Sequence, residues 1–268
     1  MVVAGPVTCD DRRVASRGGG RAEAQDTLDA EGPRVRPEYA ILAREFGELA
    51  AQFGHRIDAV LDNDIARLAG SIECVDRHID HIADDVRRAA LWRSILEVLA
   101  HGVGRPRPAP HEDLAPEAAR ATLDLREVAV RRGVLGRMVR IVAKEVTTSE
   151  RMRRTTQLGV YIAAVLREGR LTTALALVVA GDACGKPFRR FFFRLGGPAN
   201  VIDKLKDARA DHARGEIVLA PGLFLHARLA LAVLVRLPAL FASHPRWSRV
   251  VGMGLRYLFT ARAPLACR

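Results

Sequence analysis

The sequence has few aromatic residues and few segments that alternate between apolar and polar positions. Aromatic side chains make up 5% of the 268 residues, and alanine, leucine, valine and arginine dominate the composition. This composition disfavours β-sheets and favours helices. Because 49% of the residues are hydrophobic, the chain is able to bury a sizeable core. We therefore expect an all-α protein.

Cysteine is also scarce. The four cysteines lie far apart, at Cys9, Cys74, Cys184 and Cys267, and form no C-x-x-C pair. This spacing indicates neither a disulfide framework nor a zinc site, and it fits a reducing compartment. The N-terminus has no sustained apolar run, so a secretory signal is not expected. We therefore expect a cytoplasmic protein.

The most apolar region, from Ile217 to Ala242, is interrupted by charged residues and proline. It contains Pro221, Arg228 and Arg236. A membrane-spanning helix needs about 20 mostly uncharged residues. We therefore expect a buried helix here, with peripheral contact to a membrane surface as the alternative.

Negative charge is in deficit, because the formal net charge is +11. Nucleic acid, an anionic membrane and phosphorylated substrates are all compatible partners of such a chain. The densest basic group, Arg151, Arg153 and Arg154, has no interleaved aromatic residues. This pattern argues against a nucleic-acid surface, so nucleic acid is not expected as a partner.

The order of segments predicts one helical domain after a disordered leader. Residues 1–36 contain a triple glycine and several charges, which is typical of disorder. Residues 37–262 read as one all-α domain, with a long helical region from about Ile57 to His101 and a proline-rich loop after it. A further break is expected at Gly196-Gly197-Pro198. The sum is a bundle of about seven to ten helices around one core.

Two series of acidic residues recur at helical spacing. The downstream stripe is Asp203, Asp207 and Asp211, and the upstream stripe is Glu73, Asp76, Asp80 and Asp84. A residue four positions on is rotated by only about 40°, so each series shares one helix face. The upstream stripe borders an apolar face that comprises Ile72, Val75, Ile79, Ile82 and Val86. If the two stripes face each other, their carboxylates suit Mg²⁺ or Mn²⁺.

The alternative for each stripe is a solvated face neutralised by neighbouring cations. Lys206, Arg209 and Arg214 surround the downstream stripe, and Arg77, Arg87 and Arg88 surround the upstream one. Like charges four residues apart repel by a few tenths of a kcal/mol, so some cation is required in either case.

The two motifs together resemble those of squalene and phytoene synthases. Arg77-His78-Ile79-Asp80-His81-Ile82-Ala83-Asp84-Asp85 is similar to the first aspartate-rich motif of that family. Asp207 and Asp211, followed by Gly215, Ile217, Leu219 and Pro221, are similar to the second. Arg256-Tyr257 is similar to the Arg-Tyr pair of terpene synthases. The resemblance covers about residues 40 to 225.

The resemblance implies a single-domain class I isoprenoid synthase-like bundle with a central apolar cavity, a prenyl diphosphate substrate and Mg²⁺ or Mn²⁺. It implies metal binding by Asp76, Asp80, Asp84, Asp203, Asp207 and Asp211, of which Asp80, Asp84, Asp207 and Asp211 are the catalytic set. It implies diphosphate binding by Arg77, Lys206, Arg256 and Tyr257.

Departures from the family pattern separate three functions. Asp203 stands where the family carries asparagine, which favours a terpene synthase that ionises one fifteen- or twenty-carbon diphosphate. The first alternative is a head-to-head transferase of the squalene or phytoene synthase type. The second is a non-catalytic membrane-peripheral or assembly protein that retains the fold.

Overall fold

The structure is a computed structural model that describes residues 37–80, 82–102 and 114–244. Among these residues every regular element is a helix, which confirms the all-α prediction. The α-helices are α1 (Pro37–Gln52), α2 (Ala59–Asp80), α3 (Asp85–His101), α4 (Pro116–Arg131), α5 (Leu135–Arg154), α6 (Leu158–Ala180), α7 (Lys186–Ala213), α8 (Leu223–Leu234) and α9 (Leu237–Phe241). A short 3₁₀ turn, Gly181–Ala183, joins α6 to α7. All of these helices fall within one unit of contacting elements. The expected disordered leader lies outside the described residues.

Helix boundaries follow local chemistry. Asp58 accepts a hydrogen bond from the backbone N–H of Leu61 at 2.7 Å, as an N-cap does at the start of α2. Proline occupies the first turn of α4 and of α7, where its missing N–H has no helical partner to lose. Gly133 adopts φ +66° between α4 and α5, and the N–H of Val134 returns to the carbonyl of Ala129 at 2.8 Å. This left-handed turn ends α4, because residues with a Cβ rarely adopt it.

Helix α6 is the centre of the bundle, since it packs against α2, α5, α7 and α8. Its contact with α7 is closest at Gly169 and Gly196. A Cβ on Gly169 would lie 2.1 Å from the carbonyl oxygen of Gly196, and a Cβ on Gly196 would lie 2.2 Å from that of Gly169. Only glycine allows the two backbones to approach so closely.

The break expected at Gly196-Gly197-Pro198 is wrong. Helix α7 runs through these residues to Ala213, with Pro198 inside it. The three residues are buried against α6, and packing of the two helices overrides the local helix-breaking tendency. Because α7 is continuous, Lys204 and Asp211 lie on the same helix as the residues that pack against α6.

The largest core cluster contains aromatic residues from α1 and α7. Phe46 and Phe188 pack edge to face with ring centroids 5.4 Å apart, and Phe53 lies 5.3 Å from Phe191. A second cluster joins α6, α7 and α8 through side chains that include Tyr161, Val165, Val201 and Leu229. A third cluster joins α2, α3 and α4 through Val75, Ile79, Leu91, Ile95 and Ala121.

The buried helix expected between Ile217 and Ala242 is correct for one side only. Leu225 and Leu229 of α8 are buried, whereas Leu223 is 88% and Phe224 is 70% exposed. By length and composition alone, Leu223–Phe241 is the one stretch of the described chain apolar enough to cross a membrane. One side of α8 therefore packs on the bundle, and the other apolar side faces solvent.

Candidate functional site

The upstream stripe ends at a helix terminus. Asp76 and Asp80 lie on α2, beside the buried residues Val75 and Ile79, as the pattern predicted. Asp80 is the last residue of α2, so the helical stripe expected from Glu73 to Asp84 ends one turn early within the long helical region. The next helix, α3, begins at Asp85.

Asp84 is therefore removed from the stripe. It is the N-cap of α3, where its carboxylate accepts a hydrogen bond from the backbone N–H of Arg87 at 2.7 Å. This bond satisfies one of the free donors at the helix start. Asp84 is exposed and does not share a helix face with Asp80, so it is not placed with the other carboxylates of the stripe, and its metal-binding and catalytic roles stay predictions.

A buried arginine fixes the corner between α2 and α3. Arg88 is 4% exposed, and its guanidinium donates to the carbonyl oxygen of Ile82 at 2.7 Å and to Glu150 of α5 at 2.7 Å. It also binds Asp85. The negative charge of Glu150 and Asp85 raises the pKa of Arg88 against the opposing effect of burial. The corner that follows Asp80 is thus anchored to α5.

Asp76 and Asp80 face further carboxylates. Burial, followed by the charges of Glu145 and Asp80, raises the pKa of Asp76 well above its ordinary value. Asp76 is nonetheless solvent-exposed by accessible area. The acidic neighbours of Asp76 lie on α5 and α6 as well as on α2. We call this region the acidic recess and define it by Asp76, Asp80, Glu145, Glu168, Lys204 and Asp211.

Glu145 of α5 and Glu168 of α6 were not identified from the sequence. Burial raises the pKa of Glu145 to about 7, and Thr172 donates a hydrogen bond to its carboxylate at 2.6 Å. Glu168 accepts a hydrogen bond from the Asn200 side chain of α7 at 3.0 Å. The available signal was that Glu168 is the single acidic residue of α6.

Helix α7 contributes both a positively charged and a negatively charged side chain to the recess. Lys204 donates to the Asp211 carboxylate at 2.9 Å, and Arg214 donates to its second oxygen at 2.7 Å. Asp211 is 2% exposed, and Arg214 also binds the buried Glu216. Burial alone would lower the pKa of Lys204, but the charges of Glu168 and Asp211 raise it. Lys204 is therefore a firmly charged cation within the recess.

Electrostatic contact links the two sides. Burial raises the pKa of Asp80, Arg153 and Lys204 oppose that change, and Glu216 adds to it. Asp80 also forms an ion pair with Arg153 of α5. One residue of the upstream stripe thus lies within the field of the residues that hold Asp211.

The remaining predicted residues are placed differently. Asp203 and Asp207 are half-buried on α7, whereas Lys206 is exposed. The lysine in the recess is Lys204, because two residues along a helix turn the side chain to the opposite side. Arg77 pairs with Glu73 at 3.2 Å on the surface of α2, so the diphosphate roles predicted for Arg77 and Lys206 are not supported by position. Arg256 and Tyr257 lie outside the described residues.

A buried tyrosine hydroxyl borders the recess. Tyr161 of α6 is fully buried, and its hydroxyl has no hydrogen-bond partner in the described part of the chain. Burial raises its pKa to about 12, against the effect of Lys204 and together with the charges of Asp211 and Glu168. An unsatisfied buried hydroxyl costs about 1–3 kcal/mol. This cost is relieved if a ligand or water supplies an acceptor.

The fit of Mg²⁺ differs between the two sides. Burial raises the pKa of Asp76, Asp80 and Glu145, and the charges of Glu145 and Asp80 raise the pKa of Asp76 further. An added divalent cation would offset this excess negative charge. Asp211 fits poorly, since Lys204 and Arg214 already bind both of its oxygens. Within the described residues no preformed group of three or more metal-ligating side chains is present.

Comparisons with protein-family models, with curated proteins and with solved structures find no match for this chain.

Proposed function

We propose that the chain is a Mg²⁺-dependent class I isoprenoid enzyme that ionises an allylic prenyl diphosphate. The observation that supports the proposal is the recess itself. Asp80 of the first acidic motif lies in the electrostatic field of Lys204 of α7, and Lys204 pairs with Asp211 of the second motif at 2.9 Å. A substrate that carries both a diphosphate and a hydrocarbon chain suits charged groups that adjoin an apolar cluster.

The donor set assigns roles to individual residues. Asp76 and Asp80 would hold Mg²⁺, with Glu145 beside them, and the metal when bound supplies positive charge to the leaving diphosphate. Lys204 and Arg153 would donate hydrogen bonds to diphosphate oxygens, since each already pairs with a carboxylate of the recess. Asp211 would position Lys204.

The reaction breaks the bond between the allylic carbon and the diphosphate oxygen. The electron pair leaves with diphosphate, and the hydrocarbon retains a delocalised positive charge. Loss of a proton from carbon, either directly or after ring closure, then discharges the cation and gives a neutral terpene. Val165 and Val201, which lie in the apolar cluster around Tyr161, would line the proposed central cavity and exclude water from the cation.

The test is incubation of the purified protein with ten-, fifteen- and twenty-carbon prenyl diphosphates and Mg²⁺. Diphosphate release and volatile or extractable products are measured together. We expect turnover with the fifteen- or twenty-carbon substrate, and a loss of at least 100-fold in Asp80→Asn and Asp76→Asn, because each removes one charge from the proposed metal site. Asp182→Asn, an exposed change in the turn before α7, is the matched control and should retain full activity. Absence of diphosphate release from all three substrates would refute the proposal.

A head-to-head transferase is distinguished by its product. Two fifteen-carbon or two twenty-carbon units would give a hydrocarbon of twice the length, which mass spectrometry separates from a cyclised monomer. We prefer the single-substrate reaction because Asp203 replaces the asparagine of the transferase motif.

A non-catalytic protein that retains the fold is the second candidate, and specific contacts favour it. Arg153 binds Asp80, and Lys204 and Arg214 bind Asp211, so these cations satisfy the carboxylates internally. Titration calorimetry with Mg²⁺ and inorganic diphosphate distinguishes the candidates. Heat of binding that is lost in Asp80→Asn favours the enzyme, whereas no heat in the wild-type protein favours the non-catalytic role.

A further inference from the structure

Helix α8 leaves a continuous apolar surface exposed to solvent. Its inward side chains, which include Leu225 and Leu229, are buried. The outward residues are Leu223 at 88%, Phe224 at 70%, Leu231 at 47%, Leu234 at 59% and Val235 at 61% exposure. Exposed apolar residues that occur singly are ordinary, but a contiguous group marks an interaction site.

These residues share one helical face. Leu231, Leu234 and Val235 are spaced three and four residues apart, and Phe224 lies two turns before Leu231. Val235 and Arg236 retain right-handed helical dihedral angles between α8 and α9. The outward face therefore continues from α8 into the exposed start of α9.

A basic depression lies where this face ends. It has a volume of about 530 Å³ and is bordered by Lys186, Arg190 and Arg194 of α7 and by Ala239 and Ala242. The three cations are spaced four residues apart and share one side of α7. Arg194 also donates to the carbonyl oxygen of Ala239 at 3.5 Å, which joins the basic group to α9.

The sequence around both features is devoid of acidic residues. From Ile217 to Arg268 the chain has seven arginines and no aspartate or glutamate. From Ala183 to Ile202 it has four cations and again no acidic residue. Among the described residues, α8 and the start of α9 are accompanied by Arg228 and Arg236, and the basic depression adds Lys186, Arg190 and Arg194.

We propose that the outward face of α8 and the basic depression form a docking surface for membranes that contain anionic lipids. Apolar side chains enter the boundary between headgroups and acyl chains, and the cations bind lipid phosphates. The helix lies on the bilayer and does not cross it, because Leu225 and Leu229 remain packed in the bundle. A second copy of the chain is disfavoured as the occupant, since a two-fold contact would place like-charged surfaces against each other. This inference does not depend on the proposed isoprenoid chemistry.

The experiment is co-sedimentation of the full chain with vesicles of phosphatidylcholine alone or of two parts phosphatidylcholine to one part phosphatidylglycerol. We expect binding to the mixed vesicles that weakens steeply near 1 M salt, where the Debye length is about 3 Å. Each surface cation contributes about fivefold to binding, so Lys186→Gln/Arg190→Gln/Arg194→Gln should weaken it about 100-fold. Arg137→Gln/Arg140→Gln/Lys144→Gln, at exposed positions of α5, removes the same charge and should have a much smaller effect.

The apolar contribution has its own pair of variants. Leu234→Gln/Val235→Gln should weaken binding at least tenfold, because both side chains would enter the bilayer boundary. Val86→Gln/Val130→Gln changes two other exposed apolar side chains and should leave binding unchanged. Equal binding to both vesicle types would overturn the proposal. So would a stable dimer in sedimentation equilibrium that Leu234→Gln/Val235→Gln dissociates, together with no vesicle binding.

Discussion

Replacement of Gly196 by alanine tests whether the contact between α6 and α7 holds the bundle together. Helix propensity alone favours alanine over glycine by about 1 kcal/mol. At this site, however, the new Cβ would lie 2.2 Å from the carbonyl oxygen of Gly169 and 2.5 Å from the side chain of Thr173. Ordinary contact begins at 3.4 Å, so the helices must separate locally by 3.4 − 2.2 = 1.2 Å.

The separation would also weaken hydrogen bonds one turn further along. Asn200 donates to the carbonyl oxygen of Val165 at 2.8 Å and to Glu168 at 3.0 Å. Overpacking costs about 2 kcal/mol, and the two hydrogen bonds are worth about 2 kcal/mol together. After subtraction of about 1 kcal/mol for propensity, the free energy of unfolding should fall by about 3 kcal/mol.

Thermal unfolding followed by circular dichroism measures this change. A domain of this size loses about 2–4 °C per kcal/mol, so the midpoint should fall by about 6–12 °C. Gly47→Ala is the matched control, because its new Cβ would meet Ile57 at an ordinary 3.9 Å within α1. That variant should be unchanged or more stable by up to about 1 kcal/mol. A Gly196→Ala protein as stable as the wild type would refute the packing argument.

Two further predictions concern buried carboxylates. Burial raises the pKa of Glu145 from 4.5 to about 7, so the folded state binds more protons between these values and its stability falls as pH rises through that window. Glu145→Gln cannot ionise, and it should raise the free energy of unfolding by about 3 kcal/mol at pH 8 and leave it unchanged at pH 4 in urea titrations, since one pKa unit corresponds to about 1.4 kcal/mol; equal effects at both pH values would contradict this. Asp64 is fully buried and pairs with Arg131 and Arg132. Asp64→Ala should therefore lower the free energy of unfolding by about 3 kcal/mol. A loss below about 0.5 kcal/mol, the size expected of a surface change, would contradict this.

Composition and periodicity were sufficient to predict the helical class and the placement of Asp76 and Asp80 on one helix beside the buried Val75 and Ile79. They were insufficient where tertiary contacts outweigh local preference. The sequence around Pro198 disfavours a helix, yet the fit of Gly196 and Gly197 against α6 keeps α7 continuous. Conversely, the stripe that ends at Asp84 has helical spacing, but its carboxylate is used to cap α3.

The candidate site was predicted only in part, for a related reason. A four-residue spacing identifies a helix face and leaves open which cations meet it. The motif pointed to Lys206, and only the orientation of α7 shows that Lys204 is the lysine that reaches Asp211. Glu145 and Glu168 belong to no motif, so their presence beside Asp76 becomes evident only when α5 and α6 are placed around it.

Two ion pairs at the end of α5 have different roles: one holds the helices in place, and the other involves side chains that can change partners. Arg88 binds Glu150 and the carbonyl oxygen of Ile82, whereas Arg153 of the same helix end binds Asp80. If another cation displaces Arg153, the Arg88 contacts still hold the corner that follows α2. The exchange then needs rotamer changes of Arg153 and Asp80, whose side chains are 10% and 39% exposed, and no helix displacement. We therefore expect Asp80 to change partners while the surrounding helices keep their positions.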